Sequence, residues 1–247
     1  MKRRFVADLH VHTVLSPCAA VEMTPRNIVW HAVRHGIDIV AITDHNAADN
    51  VPAALEAAKG TDVTILPGME VETKEEVHVL ALFATLHQLF AWEKVVAAHR
   101  PGRKNDADKF GAQFVVDAED NLVAEKEEML LASLTIGLAE TCAQVAALGG
   151  LVIASHVDRP SYSVLSQLGF VPPGVRFAAM EVSRRFSRAE AVSRFPAIAQ
   201  WPVVKASDAH TIDDFLSGPK TTFYLEQPTL AEIRQALYNE NAREVVL

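Results

Sequence analysis

Short apolar runs rich in Val and Ile alternate with helical patterns along this 247-residue chain, and this alternation constrains the fold most. A run apolar on both faces reads as a strand buried on both sides, and strands that alternate with helices build βα units around a mostly parallel sheet. The runs are Phe5 to His10, Asp38 to Thr43, Thr64 to Leu66, Val77 to Phe83, Gly150 to Ser155, Ala178 to Val182, Val203 to Ala206 and Thr222 to Leu225. Pro67-Gly68 is expected to break the third of them. Thr24-Pro25 starts a helix that Gly36 stops, Val51 to Lys59 is a helix ended by Gly60, and Leu230 to Tyr238 is a closing helix. From Leu86 to about Leu148 the pattern is mainly helical, and polar Arg100 to Gly111, with Pro101 and Gly102, reads as a long loop or lid. With no repeat and no linker, residues 1–247 read as a single α/β barrel-like domain.

Charge and composition narrow the function classes. Hydrophobic residues make up 49% of the chain, enough for a substantial core. A formal net charge of -8 disfavours a broad grip on long nucleic acid, which draws on many Lys and Arg contacts to phosphate. It leaves room for a small phosphorylated substrate, because bound cations can offset local acidity. No apolar run approaches the ~20 residues of a membrane span, and MKRRFVADLH turns polar too early for a signal peptide. Two cysteines, Cys18 and Cys142, make no disulfide framework, so a reducing cytoplasm is expected.

Six of the ten histidines lie at or just beyond the ends of the expected strands: His10, His12, His45, His78, His156 and His210. Asp8, Asp44, Glu70 and Asp208 accompany them. In an α/β barrel the carboxyl ends of strands converge on one face, so groups distant in sequence can meet there. Histidine and carboxylate are the donors that hold Zn²⁺, Mn²⁺ or Fe²⁺. His10 and His12, two apart on an extended chain, share a face and can reach one ion. Asp44 could ligate or could orient the ring beside it. Pro67-Gly68 would turn Glu70 into the barrel mouth, whereas Glu72 reads more simply as a solvated residue. Alone, His78 reads as a hydrogen-bonded core histidine. Taken together these groups point to a metal cluster, because buried ionisable residues are costly unless paired or bound to metal.

In type and order, His10-x-His12, Thr43-Asp44-His45, Glu70, His78, His156 and Asp208-x-His210 resemble the polymerase and histidinol phosphatase (PHP) family of metal-dependent phosphoesterases. The resemblance implies a distorted (β/α)7 TIM-like barrel with two or three divalent ions, Zn, Mn or Fe, at the C-terminal ends of its strands. It implies that His10, His12, Glu70 and Asp208 hold a first ion, and that Glu70 bridges to a second completed by His78 and His156. His45 and His210 would hold a third. The family has a further histidine a few residues after the His-x-His pair, and here Cys18 stands near that position. It is either a thiolate ligand or a small buried residue of a turn.

A hydroxide bridging two ions beside Glu70 would be the nucleophile of an in-line displacement, with Asp44, His45 or His210 as candidates to protonate the leaving alcohol. Arg159 is the leading phosphate-binding candidate, because its planar guanidinium can clamp two oxygens. Arg184, Arg185 and Lys205 are second candidates, and Tyr162 could cover a base or sugar. The expected activity is hydrolysis of phosphate esters of a small substrate or nucleotide. The alternatives are a phosphodiesterase or exonuclease acting on nucleotides or short oligonucleotides, histidinol phosphate hydrolysis, an amidohydrolase, and a non-catalytic metal-stabilised scaffold.

Overall fold

The computed structural model describes residues 1–183 and 186–247. In chain order the elements are β1 (Arg3–Val11), α1 (Pro25–His35), β2 (Ile39–Ile42), α2 (Val51–Ala57), β3 (Thr64–Glu72), β4 (His78–Leu82) and α3 (Leu86–His99). Then come α4 (Ala107–Phe110), β5 (Phe114–Val116), β6 (Leu122–Glu125), α5 (Leu138–Ala147), β7 (Leu151–Ala154), α6 (Val164–Leu168) and β8 (Ala179–Glu181). The chain ends with α7 (Arg188–Arg194), β9 (Val203–Val204), α8 (Ile212–Ser217), β10 (Thr221–Leu225), α9 (Leu230–Leu237) and β11 (Glu244–Val246).

The main sheet has the order β11-β10-β1-β2-β3-β4-β7-β8-β9. It curls until Ala209, just past β9, bridges in parallel to Val11, and the amide of His12 donates to the Ala209 carbonyl at 3.1 Å. The strands β1, β2, β3, β4, β7, β8 and β9 thus form a nearly closed, TIM-like barrel. The ring departs from a regular (β/α)7 pattern at one place. β3 pairs with β4, and β4 with β7, antiparallel. The connection through residues 73–77 is too short for a crossover helix, so β4 must run back down. His78 therefore reaches the mouth from the start of its strand, while its partners reach it from strand ends.

Pro67-Gly68 does not break β3. Pro67 pairs with Ile42, and its carbonyl accepts from the Phe83 amide at 2.8 Å. Gly68 is a close approach, because a Cβ there would lie 2.9 Å from the Ile42 carbonyl oxygen and from Leu82 Cδ2. The strand continues and delivers Glu70 to the mouth.

Period-two alternation sorts each strand into an inner and an outer face. Val40, Ile42, Met69, Val79, Val152 and Met180 pack outward with Ile28 of α1, Trp92 of α3 and Val145 of α5. Leu9, Ala41, Leu66, Leu80, Ile153 and Val204 fill the interior above Ile233 and Leu237 of α9. Each such Leu, Ile or Val contributes about 1.5–3 kcal/mol by leaving water. The same inner rows continue upward into polar residues. Leu66 and Gly68 lead to Glu70, Ala179 leads to Glu181, and Leu82 and Leu80 lead to His78. In β1 the pairing register shifts between Asp8 and Val11. Leu9 consequently faces the inner cluster and Val11 the outer one, which puts His10 and His12 opposite Val11.

The stretch expected to be mainly helical is helical only at its ends, in α3 and α5. Between them lie the four-residue α4 and the antiparallel β5–β6 hairpin. Asp117 closes that hairpin by accepting from the amides of Glu119 and Asn121, a turn chemistry that favours strands over helix. The insert is tied to the mouth loops. Asn46 donates to the Leu130 and Ala132 carbonyls, Asn50 donates to Phe114, and the Phe114 amide donates to Val14. Among the described residues, no helix is long and apolar enough to cross a membrane.

Candidate metal centre

Glu70 is the hub. Its carboxylate lies 3.2 Å from His10 Nε2, 3.4 Å from His12 Nε2, 3.2 Å from His45 Nδ1, 3.1 Å from His78 Nδ1 and 3.4 Å from His156 Nε2. Asp208 adds an oxygen 3.2 Å from His10 Nε2 and 3.3 Å from His12 Nε2. Three overlapping groups have their donor atoms within 4.8 Å of one another: His10, His12, Glu70 and Asp208; His45, Glu70 and His78; and His12, His45 and His210.

The ring orientations follow from what each histidine does with its other nitrogen. His10 Nδ1 lies 2.9 Å from Glu181 Oε2, and a carboxylate can only accept, so Nδ1 carries the proton and Nε2 faces the cluster. The Ser16 hydroxyl donates to Asp44 at 2.7 Å, so it accepts from His12 Nδ1 at 3.0 Å and leaves the Nε2 lone pair inward. His210 Nδ1 donates to the Asp208 carbonyl at 3.0 Å. Among the described residues, the buried nitrogens His78 Nε2 and His156 Nδ1 find no hydrogen-bond partner. A set of inward-facing imidazole lone pairs around two carboxylates is the donor chemistry of Zn²⁺, Mn²⁺ or Fe²⁺, and these residues fit such ions.

The charges are strongly coupled. Burial opposes ionisation of Glu70, yet His10 and His78 more than offset it and hold the carboxyl well below its usual range. Asp208 is likewise held well below, burial being outweighed by His10 and His12. Burial works against charge on His10 too, but Glu70, Asp208 and Glu181 raise it well above an ordinary histidine. His78 rises to about 9 as Glu70 overcomes burial. In His210 burial and then the charge of His12 prevail, lowering it to about 4. Without an ion, protons on His10 and His78 offset the carboxylates.

Two residues of the mouth depart from ordinary backbone conformations. His156 (φ 28) and Asp208 (φ 50) sit in the left-handed region without being glycine. Such positions cost about 1–3 kcal/mol each and persist where the surroundings over-determine them. The His156 amide donates to Glu181 at 3.3 Å, and Arg159 holds the Asp208 carboxylate at 2.6 Å.

The structure brings together His10, His12, His45, Glu70, His78, His156, Asp208 and His210. It does not bring Cys18 into any of the three donor groups. Cys18 keeps an exposed surface; even so, the protein mass around it and then the charge of Glu70 push its thiol up to about 12, away from the thiolate form. Asp44 accepts from the Thr13 amide and hydroxyl and from Ser16, each at 2.7 Å, so its oxygens are committed to the 13–16 loop. Arg159 is at the mouth and lines, with His156, Asp208 and His210, an open cavity of about 1130 Å³. Arg184 and Arg185 lie outside the described residues. Tyr162 stacks on His78 with ring centroids 4.7 Å apart.

Glu181 and Ser16, which hydrogen-bond to the rings of His10 and His12, are not among the residues expected from the sequence. For Glu181 a lone carboxylate in the apolar run Ala178 to Val182 is a usable signal. Ser16 had none, because its role depends on Asp44, 28 residues away.

A model of the PHP domain matches residues 8–163. The 5'-3' exoribonuclease Rnm of Salmonella typhimurium is 34% identical over 82 residues, which is 31% of this chain and 27% of that protein. The PolC-type DNA polymerase III of Bacillus cereus is 29% identical over 119 residues, covering 48% of this chain and 8% of the polymerase. The chain thus matches only a minor part of these relatives' length. The lesion-specific endonuclease PfuEndoQ of Pyrococcus furiosus shares the fold, with a TM-score of 0.73 at 20% identity over 99% of this chain and 58% of that one. With the family model covering more than half of its length, the chain belongs to the PHP-domain family of metal-dependent phosphoesterases.

Proposed function

We propose that this chain hydrolyses phosphate esters of nucleotides or short oligonucleotides at a centre of two or three divalent ions. The observation that carries this reading is the convergence of five imidazoles on the two oxygens of Glu70, beside an open cavity. His10, His12, Glu70 and Asp208 would hold one ion. Glu70, His78 and His45 or His156 would hold a second, and His12, His45 and His210 mark a third position. Such ions supply Lewis acidity toward phosphoryl oxygens and activate water near neutral pH. The residues of the chain do the rest. Arg159 presents a guanidinium at the cavity wall to clamp phosphate oxygens. Asp44, through Ser16, orients His12. His210, neutral above about pH 4, is suited to hold an ion rather than to donate a proton. Asp44 is thereby read as a positioning residue and His210 as a ligand, rather than as donors to the leaving alcohol.

The reading as a diesterase or exonuclease gains support from relatives named as an exoribonuclease and an endonuclease. A net charge of -8 opposes long polymers. A nucleotide or short oligonucleotide satisfies both. A scaffold would have no need of a donor set that lacks only the histidine near Cys18 and opens on a cavity.

The test is a rate screen on p-nitrophenyl phosphate, its bis-ester and a short 5'-phosphorylated oligonucleotide, with Mn, Zn or Fe added separately. Hydrolysis should vanish with EDTA and return with metal. Full activity after exhaustive chelation would sink the proposal.

A further inference from the structure

The cavity that touches His156, Asp208 and His210 continues to a wall made by Phe186, Arg194 and Phe195. The two phenyl rings meet edge to face, with centroids 6.4 Å apart and planes at 83°. The Arg194 guanidinium lies 5.5 Å from the centroid of one ring and 5.8 Å from the other. Among the described residues no carboxylate pairs with Arg194. It is an exposed cation resting on aromatic faces, whereas Arg159 in the same cavity is engaged by Asp208 at 2.6 Å. None of these three residues belongs to the metal-ligand constellation.

We propose that Phe186, Arg194 and Phe195 form a nucleobase subsite, which receives the base of a nucleotide whose phosphate lies at the metal centre. This rests on the phosphoesterase reading above and assigns the residues that would receive the base. A phenyl face and a guanidinium plane are the two surfaces on which a base stacks without sequence readout. A sugar alone offers no π-face to either. A cavity of about 1130 Å³ is slightly larger than the usual range for small-molecule sites and has room for a base, a sugar and a phosphate together. The cation beside the rings also suits the phosphate that follows the base in a dinucleotide.

The experiment compares adenosine 5'-monophosphate with ribose 5-phosphate, which lacks the base, in wild type, Phe186→Leu and Arg194→Gln. Leucine keeps the apolar volume and removes the π-face, and Arg194 is exposed, so both variants should fold; circular dichroism checks this. The ratio of kcat/KM for the two substrates should fall about 5- to 100-fold in Phe186→Leu, the range of a lost base–aromatic stack, and less in Arg194→Gln. Calorimetric binding of both compounds to EDTA-treated protein gives a second readout that does not depend on turnover. A ratio that stays constant in both variants, or equal binding of the two compounds to wild type, overturns the subsite while leaving the phosphoesterase intact. Preferential nucleotide binding that the variants lose, without hydrolysis of any ester, leaves the subsite standing and overturns the phosphoesterase reading instead.

Discussion

The two sides of the barrel mouth are built differently. On the side of β1 to β4, the loops are tied by buried polar groups and roofed by the insert between α3 and α5. Asp44 holds residues 13–16, Asn46 and Asn50 hold the insert, and His12, Glu70 and His78 are buried. On the side of β7 to β9, the wall is a cavity, and Arg159 is 44% exposed. One side fixes donor atoms in a low-dielectric setting where their charges couple strongly. The other admits a ligand. Substitutions among the donors and the groups that orient them, Glu181 of β8 included, should therefore disturb metal binding, and those on the cavity wall away from the donors should disturb substrate choice.

The largest effect that would break this comparison is expected at Glu70. Glu70→Ala removes the carboxylate shared by five histidines, so metal content and kcat should fall together, kcat by about 10³-fold or more. Elemental analysis with a rate assay checks it, and a variant that keeps its metals and its rate would contradict the tied-side assignment. Next comes Glu181→Gln, which leaves every proposed ligand in place but weakens the hold on His10 Nδ1. Metal affinity should drop about 10- to 100-fold, read by competition with a chromogenic chelator. An unchanged affinity would leave Glu181 a packing residue.

The pH response of chelated protein sharpens the same comparison. His78, raised to about 9 from 6.5, adds stability that is full below pH 6.5 and is lost as pH climbs through 9. His210, lowered to about 4 from 6.5, adds stability that is full above pH 6.5 and is lost as pH falls toward 4. Melting in EDTA should therefore be highest near pH 6.5. A melting temperature that rises steadily to pH 9 would show that the carboxylates do not hold His78 charged. The smallest effect is expected for Cys18→Ser, with metal content and kcat within about twofold of wild type. Loss of one ion in that variant would return Cys18 to the ligand set.

Much of the donor set was legible because each group was marked locally. His10-x-His12, Asp44-His45 and Asp208-x-His210 stand at the ends of apolar runs, and a polar residue there is conspicuous. The weakest single signal, His78, was recovered only through its company. The insert was misread because its strands, Phe114–Val116 and Leu122–Glu125, are short and separated by a turn whose Asp117 hydrogen bonds replace any apolar period. Pro67-Gly68 was misread as a break because local propensity could not foresee Leu82 and Ile42 pressing against Gly68.

By itself the sequence determined a βα-rich chain with an apolar interior and with histidines and carboxylates at its strand ends, since strand period and capping residues act over a few positions. It also determined the helix from Pro25 to His35, through the Thr24 cap and Gly36 at φ 66. Tertiary structure alone decided that a register shift in β1 turns His10 and His12 inward, and that Glu181 and Ser16, the latter held by Asp44, orient those two rings. It also left Cys18 outside the donor groups. Glu181 lies 171 residues from His10 and Asp44 lies 28 from Ser16, and only the closed barrel brings such partners within hydrogen-bonding distance.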